Sequence, residues 1–493
     1  MEDLDPVQNE FCSYLDHWKC LAKIEFEAEL GEVDGSAGDD QVAFVRGATM
    51  QWTESRDTVL CSWAEDNNAG IHGFAVDSKI WLSRSHPQRD AASEPGVVVA
   101  WNRCWAVIRF RDGREPKDVE EGVWRIDGDY VTHGLDWILA GLSRFVSRQA
   151  EALQQLIVLN LTEQEAADFK TRNRPRVRPT GDIGGVCAKH QLNDSQTAAV
   201  SAAASNVLSL VQGPPGTGKT ETIMALLEVF GRSGEPSCAL SGGNVAVDNL
   251  CTRALARNLK TVRTGNAGSD KASASLHHVL VEVIAGEKCG WGKNQRAQAK
   301  RRQWARDYIQ ECVSVVCSTC TTVCANYLDG VSFGAMVIDE AGQVTEVDTV
   351  ASLSRCVEGG IGVLVGDQLQ LPCSIKSKYA VRGGMDTSCL ERLMGVPYVQ
   401  KTFLDTQYRM HPSIRKWPSE MFYDDRLKDS VGVQWYHAPP GFRWLPGQNV
   451  AFVHTCGAEE KVGYSFRNRA EVLLVVQVVT ALSREGNVAK NDI

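Results

Sequence analysis

No stretch of these 493 residues stays apolar for the length of a membrane span. The longest candidate, Val472 to Leu482, is broken by Gln477 and Thr480 and reads as a buried helix. The opening run, MEDLDPVQNE, is acidic and has neither the cationic start nor the apolar stretch of a secretory leader, nor the Arg-rich character of a transit peptide, so a cytoplasmic location is expected, with the nucleus as the alternative. A disulfide framework is also lacking. The 16 cysteines are scattered, which fits free thiols in a reducing compartment. An excess of basic charge is missing too: Lys and Arg number 52 against 61 Asp and Glu, a formal net charge of −9. A chain of that balance does not advertise a nucleic-acid partner, and any strand-binding groove would have to be a local basic feature of an acidic body. There is no internal repeat and no low-complexity tract.

What is present points to a multidomain globular protein. Hydrophobic residues make up 43% and charged residues 23% of the chain. The length exceeds what one core supports and suggests about two to four domains. Phe11 to Glu32 carries Leu15, Trp18, Leu21, Ala22 and Ile24 at helical spacing. Residues 31–40 (GEVDGSAGDD) form a loop by composition. From Gln41 to about Tyr130 the texture turns to short β-rich runs (VAFVRG, ATMQWTES, TVLCSW, GFAVDSKIWLS, GVVVAW, CWAVIRF, GVWRI) split by turn residues, the pattern of a small barrel or sandwich. Eight of the 13 tryptophans precede residue 138 and are read either as barrel core or as exposed rings that stack on bases. Gly134 to Ile157 is helical again, and Lys170 to Gly185 is a basic, Pro- and Gly-rich linker. From Leu192 onward, apolar runs at 207–212, 237–241, 313–317, 335–339 and 360–367 alternate with helical stretches, which implies a parallel, doubly wound sheet.

The run at 207–212 leads directly into Gly213-Pro214-Pro215-Gly216-Thr217-Gly218-Lys219-Thr220. A strand, this G-x-x-x-x-G-K-[ST] loop and a helix supported by Ile223, Leu226, Leu227 and Phe230 form a phosphate cradle: glycines let backbone N–H groups face phosphate oxygens, and the helix N-terminus adds positive potential. Lys219 would reach the β- and γ-phosphates of a nucleotide, and Thr220 would ligate Mg²⁺. The run at 335–339 ends in Asp339 and Glu340, placing Asp339 to hold the Mg²⁺ water network and Glu340 to act as general base on the attacking water. The run at 360–367 ends in Gly366-Asp367-Gln-Leu-Gln370-Leu-Pro, with Gln370 a candidate γ-phosphate sensor. Arg409, in QYRMHP, could offer a positive charge to the transferring phosphoryl from across a cleft, a contribution worth ~10³–10⁵ in rate.

Together, LNDSQTAAV (192–200), GPPGTGKTETI (213–223), NVAVDNL (244–250), STC (318–320), VIDEAGQ (337–343), LVGDQLQLP (364–372) and QYRMHPSI (407–414), with WPSEMFYDDRL beyond, resemble the superfamily 1 helicases of the regulator-of-nonsense-transcripts and immunoglobulin-μ-binding type. Seven ordered motifs over Leu192 to Leu427 make the resemblance specific. It implies an α/β fold: a RecA-like P-loop parallel sheet with helices on both faces, preceded by a helical stalk carrying a small β-barrel and followed by a partial second RecA-like domain. The expected boundaries are 1–40 (stalk helix), 41–130 (barrel), 131–186 (second stalk helix and linker), 187–398 (first RecA-like domain) and 399–493 (part of the second). The resemblance further implies that Gln196 contacts adenine, with Gln191 a weaker candidate, that Tyr408 stacks on the base, and that Arg409 is an arginine finger. It places Ser241, Gly242, Asn244, Asn249, Ser318, Thr319 and Thr321 against the backbone of single-stranded RNA or DNA, contacts that carry little sequence information. Movement 5′ to 3′ and a role in RNA quality control, including nonsense-mediated decay, come with it. No protein partner is implied.

The chain departs from the family pattern in three places. Ser241-Gly-Gly-Asn244 stands where APSN is usual, a loop that pays more entropy to order. Cys373 follows Pro372 where a second proline is common. The sequence also stops at Ile493, near where the last two helicase motifs and a second site arginine would follow, so the apolar helix around Glu471 to Leu482 is expected to lack much of the sheet it should cover and to expose an apolar face. That leaves three readings: a catalytic motor, an ATP- and nucleic-acid-binding module with little or no turnover, and a different P-loop class such as a nucleotide kinase, against which QYRMHP and GDQLQLP argue. Two weaker signals stay open. Cys317, Cys320 and Cys324 have zinc-like spacing but follow directly from a buried strand. Lys293 to Arg306 is either a solvated basic helix or a phosphate-contacting surface.

Overall fold

The computed structural model describes residues 6–34, 44–53, 58–62, 79–83, 94–101, 105–110, 120, 122–128, 132–148, 151–159, 161–176, 182–265, 275–290, 295–435, 438–445, 449–462, 465–485 and 488–489. The residues group into two compact units, Phe26–Leu135 with Lys461–Ser465, and the rest of the chain.

The smaller unit is built on a closed antiparallel barrel. Its strands are β1 (Phe44–Trp52), β2 (Thr58–Ser62), β3 (Lys79–Ser83), β4 (Glu94–Trp101), β5 (Trp105–Phe110) and β6 (Trp124–Gly128), in the order β1-β2-β5-β4-β3-β6. Alternate residues point inward, as the two-residue pleat requires: Val59 and Cys61 on β2, Ile80 and Leu82 on β3, Ala106, Ile108 and Phe110 on β5. Gly96 is confined to glycine by close packing, since a Cβ there would lie 2.4 Å from Ile108 Cγ2. The tryptophans divide. Trp124 is buried in the barrel and Trp52 packs against its core, whereas the side chains of Trp63, Trp81 and Trp101 lie outside the described residues.

The larger unit is organised by a seven-stranded sheet. Its strands are β7 (Leu208–Gln212), β8 (Ser237–Ser241), β9 (Thr261–Arg263), β10 (Val315–Thr319), β11 (Phe333–Ile338), β12 (Cys356–Gly366) and β13 (Gln400–Phe403), in the order β13-β7-β12-β11-β8-β10-β9. Every pairing is parallel. Strands covered on both faces should read as continuous apolar runs, and β7, β8, β10 and β11 are buried at every position. The expected parallel α/β sheet is therefore present. Helix Lys219–Phe230 packs into its core through Ile223, Leu226, Leu227 and Phe230.

Helix Pro6–Asp34 buries Phe11, Trp18, Leu21, Ala22 and Glu25 along one stripe. Leu21 lies against Gly383, where a Cβ would come within 2.4 Å of Leu21 Cδ2. Glu25 accepts the backbone N–H groups of Lys376 and Ser377 at 2.7 and 2.8 Å. Two further helices, Thr132–Ser147 and Ala152–Val158, account for the helical texture up to Ile157.

Several expectations need correction. Gln400–Phe403, assigned to the second domain, is the edge strand of the first sheet. Its half-buried QKTF carries no apolar run that would have marked it. The supposed linker is partly helical: Lys170–Arg172 closes helix Glu163–Arg172, which Thr162 and Glu165 start with a capping box, and Ile183–Gly185 opens helix Ile183–Lys189. Residues 177–181 of that segment lie outside the described residues. Helix Arg469–Arg484 forms but has no buried residue, which corrects the buried helix read from the apolar run and agrees with the exposed apolar face expected of it. Phe442, Trp444, Ala451 and Val453 cover one side of it around a cavity of about 330 Å³ that Val475 also lines, while Val472, Leu473 and Val476 stay exposed. The basic stretch is helix Gln295–Cys312, which buries Ala305 and Ile309 and stacks Trp304 on Tyr308 at 4.9 Å. Cys317, Cys320 and Cys324 are buried in and just after β10, and burial holds the Cys320 and Cys324 thiols up (Cys324 at about 12), so they behave as core residues. His277–Val279 is a short 3₁₀ turn.

Candidate nucleotide site

Parallel strands deliver all their C-terminal ends to one edge of a sheet, and ligands bind in the crevice beyond that edge. The register shows how this works here. Gly366 lies opposite Gln212, and Gly213 N–H donates to Gly366 O at 2.8 Å, so the ends of β7 and β12 run out together. Ile338 lies opposite Leu240, and Asp339 N–H donates to Leu240 O at 2.8 Å. Gly213, Asp339 and Asp367 therefore emerge side by side.

The loop from Gly213 to Thr220 has the shape its glycines permit. Gly216 and Gly218 both sit at φ +77°, and a Cβ would meet Arg409 Cβ at 2.7 Å in one case and Gln196 Nε2 at 2.5 Å in the other. Thr217 is buried and its hydroxyl donates to Pro214 O at 2.7 Å. Gly218 caps helix Lys219–Phe230, so the N–H groups of its first turn face the cradle, with half-buried Thr220 in that turn. Lys219 Nζ donates to Gly213 O at 2.9 Å and lies 3.7 Å from Glu340 Oε1.

Glu340 is brought there by an unusual backbone. It sits at φ +52°, and its N–H donates to Asp339 Oδ1 at 2.9 Å. A left-handed non-glycine residue is uncommon, and here it directs Glu340 toward the loop while Asp339 stays buried. Burial, reinforced by the Glu340 charge, pushes the Asp339 carboxyl up to about 6. Gln370 donates to Asp367 Oδ2 at 2.8 Å, and Gln212 Nε2 donates to Asp367 Oδ1 at 3.3 Å, which holds Gln370 at the same edge.

The other side of the loop is equally defined. Buried Gln196 donates to Thr217 O at 3.0 Å and its Oε1 accepts Asn193 N–H at 3.0 Å, closing a capping box. Asn193 Nδ2 donates to the Tyr408 hydroxyl at 2.8 Å. Leu404 N–H donates to Gln212 O at 2.9 Å and Tyr408 N–H to Gly216 O at 2.8 Å. Tyr408 and Arg409 thus sit directly on the loop, which corrects the expectation that Arg409 would act from across a cleft. Gln191 is an exposed residue at φ +52° just after helix Ile183–Lys189, a helix-ending position.

The residues assigned to nucleic acid separate into two groups. Gly242, Asn244 and Asn249 are exposed and Thr321 is half-buried. Ser241 and Ser318 are 2% and 0% exposed, so their side chains belong to the sheet and cannot reach a strand, a correction to their expected role. Thr319 spends its hydroxyl on Thr322 N–H at 3.1 Å as a helix cap. The spacing of motif residues could not reveal this, because strand ends alternate between buried and open positions. Asn193, Gln212, Asp367 and Tyr423 were not singled out beforehand. Of these only the Asn193-x-x-Gln196 capping box is visible as a pattern.

The fold and the loop together define a P-loop nucleotide-binding protein of RecA-like type. An AAA domain family matches residues 191–303 and 291–378, and another AAA domain family matches residues 385–493. The chain is 32% identical to the regulator of nonsense transcripts 1 homolog of Arabidopsis thaliana, over 89% of this chain and 37% of that protein. It is 33% identical to the ATP-dependent helicase NAM7 of Saccharomyces cerevisiae, over 60% of this chain and 32% of that protein. An arterivirus nonstructural protein 10 helicase structure shares 12% identity over 76% of this chain and 58% of that one, with a TM-score of 0.30. The chain belongs to the superfamily 1 helicases of the regulator-of-nonsense-transcripts type. It spans about a third of the length of the curated relatives it matches.

Proposed function

We propose that this chain hydrolyses ATP and couples the hydrolysis to 5′-to-3′ movement along single-stranded RNA or DNA. The observation that carries the proposal is the approach of Glu340 to Lys219 at 3.7 Å, with buried Asp339 directly behind. In this reading Lys219 neutralises the β- and γ-phosphates, and the first-turn N–H groups of the helix it begins bind their oxygens. Thr220 and Asp339 supply hard oxygen donors suited to a magnesium ion, and the Asp339 carboxyl, raised by burial and the neighbouring Glu340 charge, is one that a bound cation would favour in its ionised form. Thr220 and Asp339 would hold that ion, which would supply positive charge against the phosphates. Glu340 orients the attacking water and takes its proton. Gln370 exchanges its bond to Asp367 for one to the γ-phosphate. Arg409, whose Cβ packs on Gly216, offers its guanidinium to the same charge. Gln196 and Tyr408 hold the adenine. Gly242, Asn244, Asn249 and Thr321 meet the strand.

The names of the relatives support a role in RNA surveillance, which we place in the cytoplasm. Among the described residues no helix is long and apolar enough to cross a membrane.

The test is ATP turnover by this chain with and without single-stranded RNA, beside Lys219→Ala and Glu340→Gln. Turnover that rises with RNA and falls to background in both variants is the expected result. Nucleotide binding without turnover in the unaltered chain would overturn the catalytic reading and leave a binding module.

A further inference from the structure

We propose that Tyr423 is a positioning residue that links the Gln370 sensor to helix Pro412–Phe422, through the single buried carboxylate of Asp367. The proposal rests on the nucleotide-site reading above and deepens it.

Asp367 is 2% exposed and accepts four hydrogen bonds. Gln212 Nε2 and Leu369 N–H reach Oδ1 at 3.3 and 3.2 Å, and Gln370 Nε2 and the Tyr423 hydroxyl share Oδ2 at 2.8 and 2.7 Å. A carboxylate offers about four acceptor positions, so the set is saturated, and none of the four donors is a cation. Such networks act together, because each donor lost leaves more uncompensated charge in a dry site. Gln370 can leave for a phosphate only as far as the other donors hold Asp367 in its absence, and the closest of them is Tyr423.

Tyr423 has little freedom to adjust. It is 3% exposed, caps helix Pro412–Phe422 with its N–H on Ser419 O, and lies 6.3 Å from Phe403, the last residue of β13. Arg426 covers the other contact of that ring, its guanidinium carbon 4.0 Å from the Phe403 centroid. A change in the Asp367–Tyr423 bond is therefore passed to the backbone of the helix that follows Arg409. The four donors come from three places: the end of β7, the loop after β12, which supplies both Leu369 and Gln370, and the turn after the helix. Such convergence is more than is needed to bury one acid.

The experiment is hydrogen exchange on the full chain, read at the amides of 412–422, without nucleotide, with Mg-ADP and with a magnesium complex of a non-hydrolysable ATP analogue. Nucleotide affinity and thermal midpoint are measured in parallel. In the unaltered chain the triphosphate analogue should change protection of that helix and ADP should not. Tyr423→Phe should bind both nucleotides within about twofold of the unaltered chain yet lose the difference between them. Gln370→Ala should lose it too, and the double variant should do no more. A purely structural tyrosine would instead raise exchange equally in every nucleotide state and keep the difference, which would overturn the proposal. So would an unaltered chain that binds both nucleotides with no difference at 412–422. If Tyr423→Phe does not fold, Gln370→Ala decides, and retention of the difference there is fatal. A chain that binds neither nucleotide would remove the site reading as well, which separates the two failures.

Discussion

Replacing Asp339 with asparagine should stabilise the nucleotide-free chain while abolishing its response to magnesium. Asp339 is 9% exposed, and burial, followed by the Glu340 charge, moves its carboxyl from 3.8 to about 6. The N–H of Glu340, Lys219 and Arg253 pull the other way without reversing the result. An acid whose folded value lies above its unfolded value holds more protons when folded. Its contribution to stability is therefore highest below pH 4 and falls as pH rises through about 6, above which the ionised form carries the whole penalty. That penalty amounts to roughly 3 kcal/mol. Asparagine keeps an oxygen for the Glu340 N–H and removes the charge. Urea unfolding at pH 8 should favour Asp339→Asn by roughly 1–3 kcal/mol, and the advantage should shrink toward zero near pH 4. Magnesium with ATP should raise the midpoint of the unaltered chain and leave the variant's unchanged. A variant less stable at pH 8, or one whose advantage ignores pH, would refute the reasoning.

Other expectations follow from packing. Arg263 is fully buried, with Nε 3.0 Å from Asp248 Oδ1 and Nη2 2.9 Å from Asn244 Oδ1. Arg263→Met strips Asp248 of that partner and should cost about 3–5 kcal/mol in chemical denaturation, and a cost near zero would contradict the buried pair. Asn193→Ala removes a helix cap and the Tyr408 tether together. It should lower stability by about 1 kcal/mol and weaken the preference for adenine over guanine nucleotides, and an unchanged preference would free Tyr408 from Asn193. Cys238, Cys317 and Cys320, buried with thiols pushed well above their ordinary value, should resist a thiol reagent until the chain unfolds, whereas exposed Cys12, Cys20, Cys312 and Cys456 should react at once.

How much of this was written in the sequence depended on the kind of physics involved. The central strands were legible because a strand covered on both faces must be apolar throughout, as in Leu208–Gln212 and Phe333–Ile338. The phosphate loop was legible because Gly216 and Gly218 occupy backbone conformations that few other residues tolerate. An edge strand obeys neither constraint, so Gln400–Phe403 passed as the start of something else. Which hydroxyls would be open was equally hidden. Ser241 ends β8 and Ser318 is the penultimate residue of the adjacent β10, both beside exposed motif residues, and only the cover on both faces of the sheet, which buries every position of these two strands, closes them off. The meeting of Gln212, Gln370 and Tyr423 on Asp367 depends on three separate crossings of the chain and has no local signature.

The pairing of β13 with β7 carries a mechanical consequence. From Gln400 to Tyr408 the chain is stitched alongside residues 209–216, first by the strand ladder and then by the N–H groups of Leu404 and Tyr408. The ring that would face a base is thus bolted to the same frame as the phosphate cradle and cannot drift from it. Residues 428–430 return to the same frame, with Lys428 N–H on Asp405 O at 2.7 Å and Ser430 N–H on Gln407 O at 3.0 Å, so the segment that carries Arg409 is anchored at both ends and any swing that spares the cradle has to begin beyond Ser430.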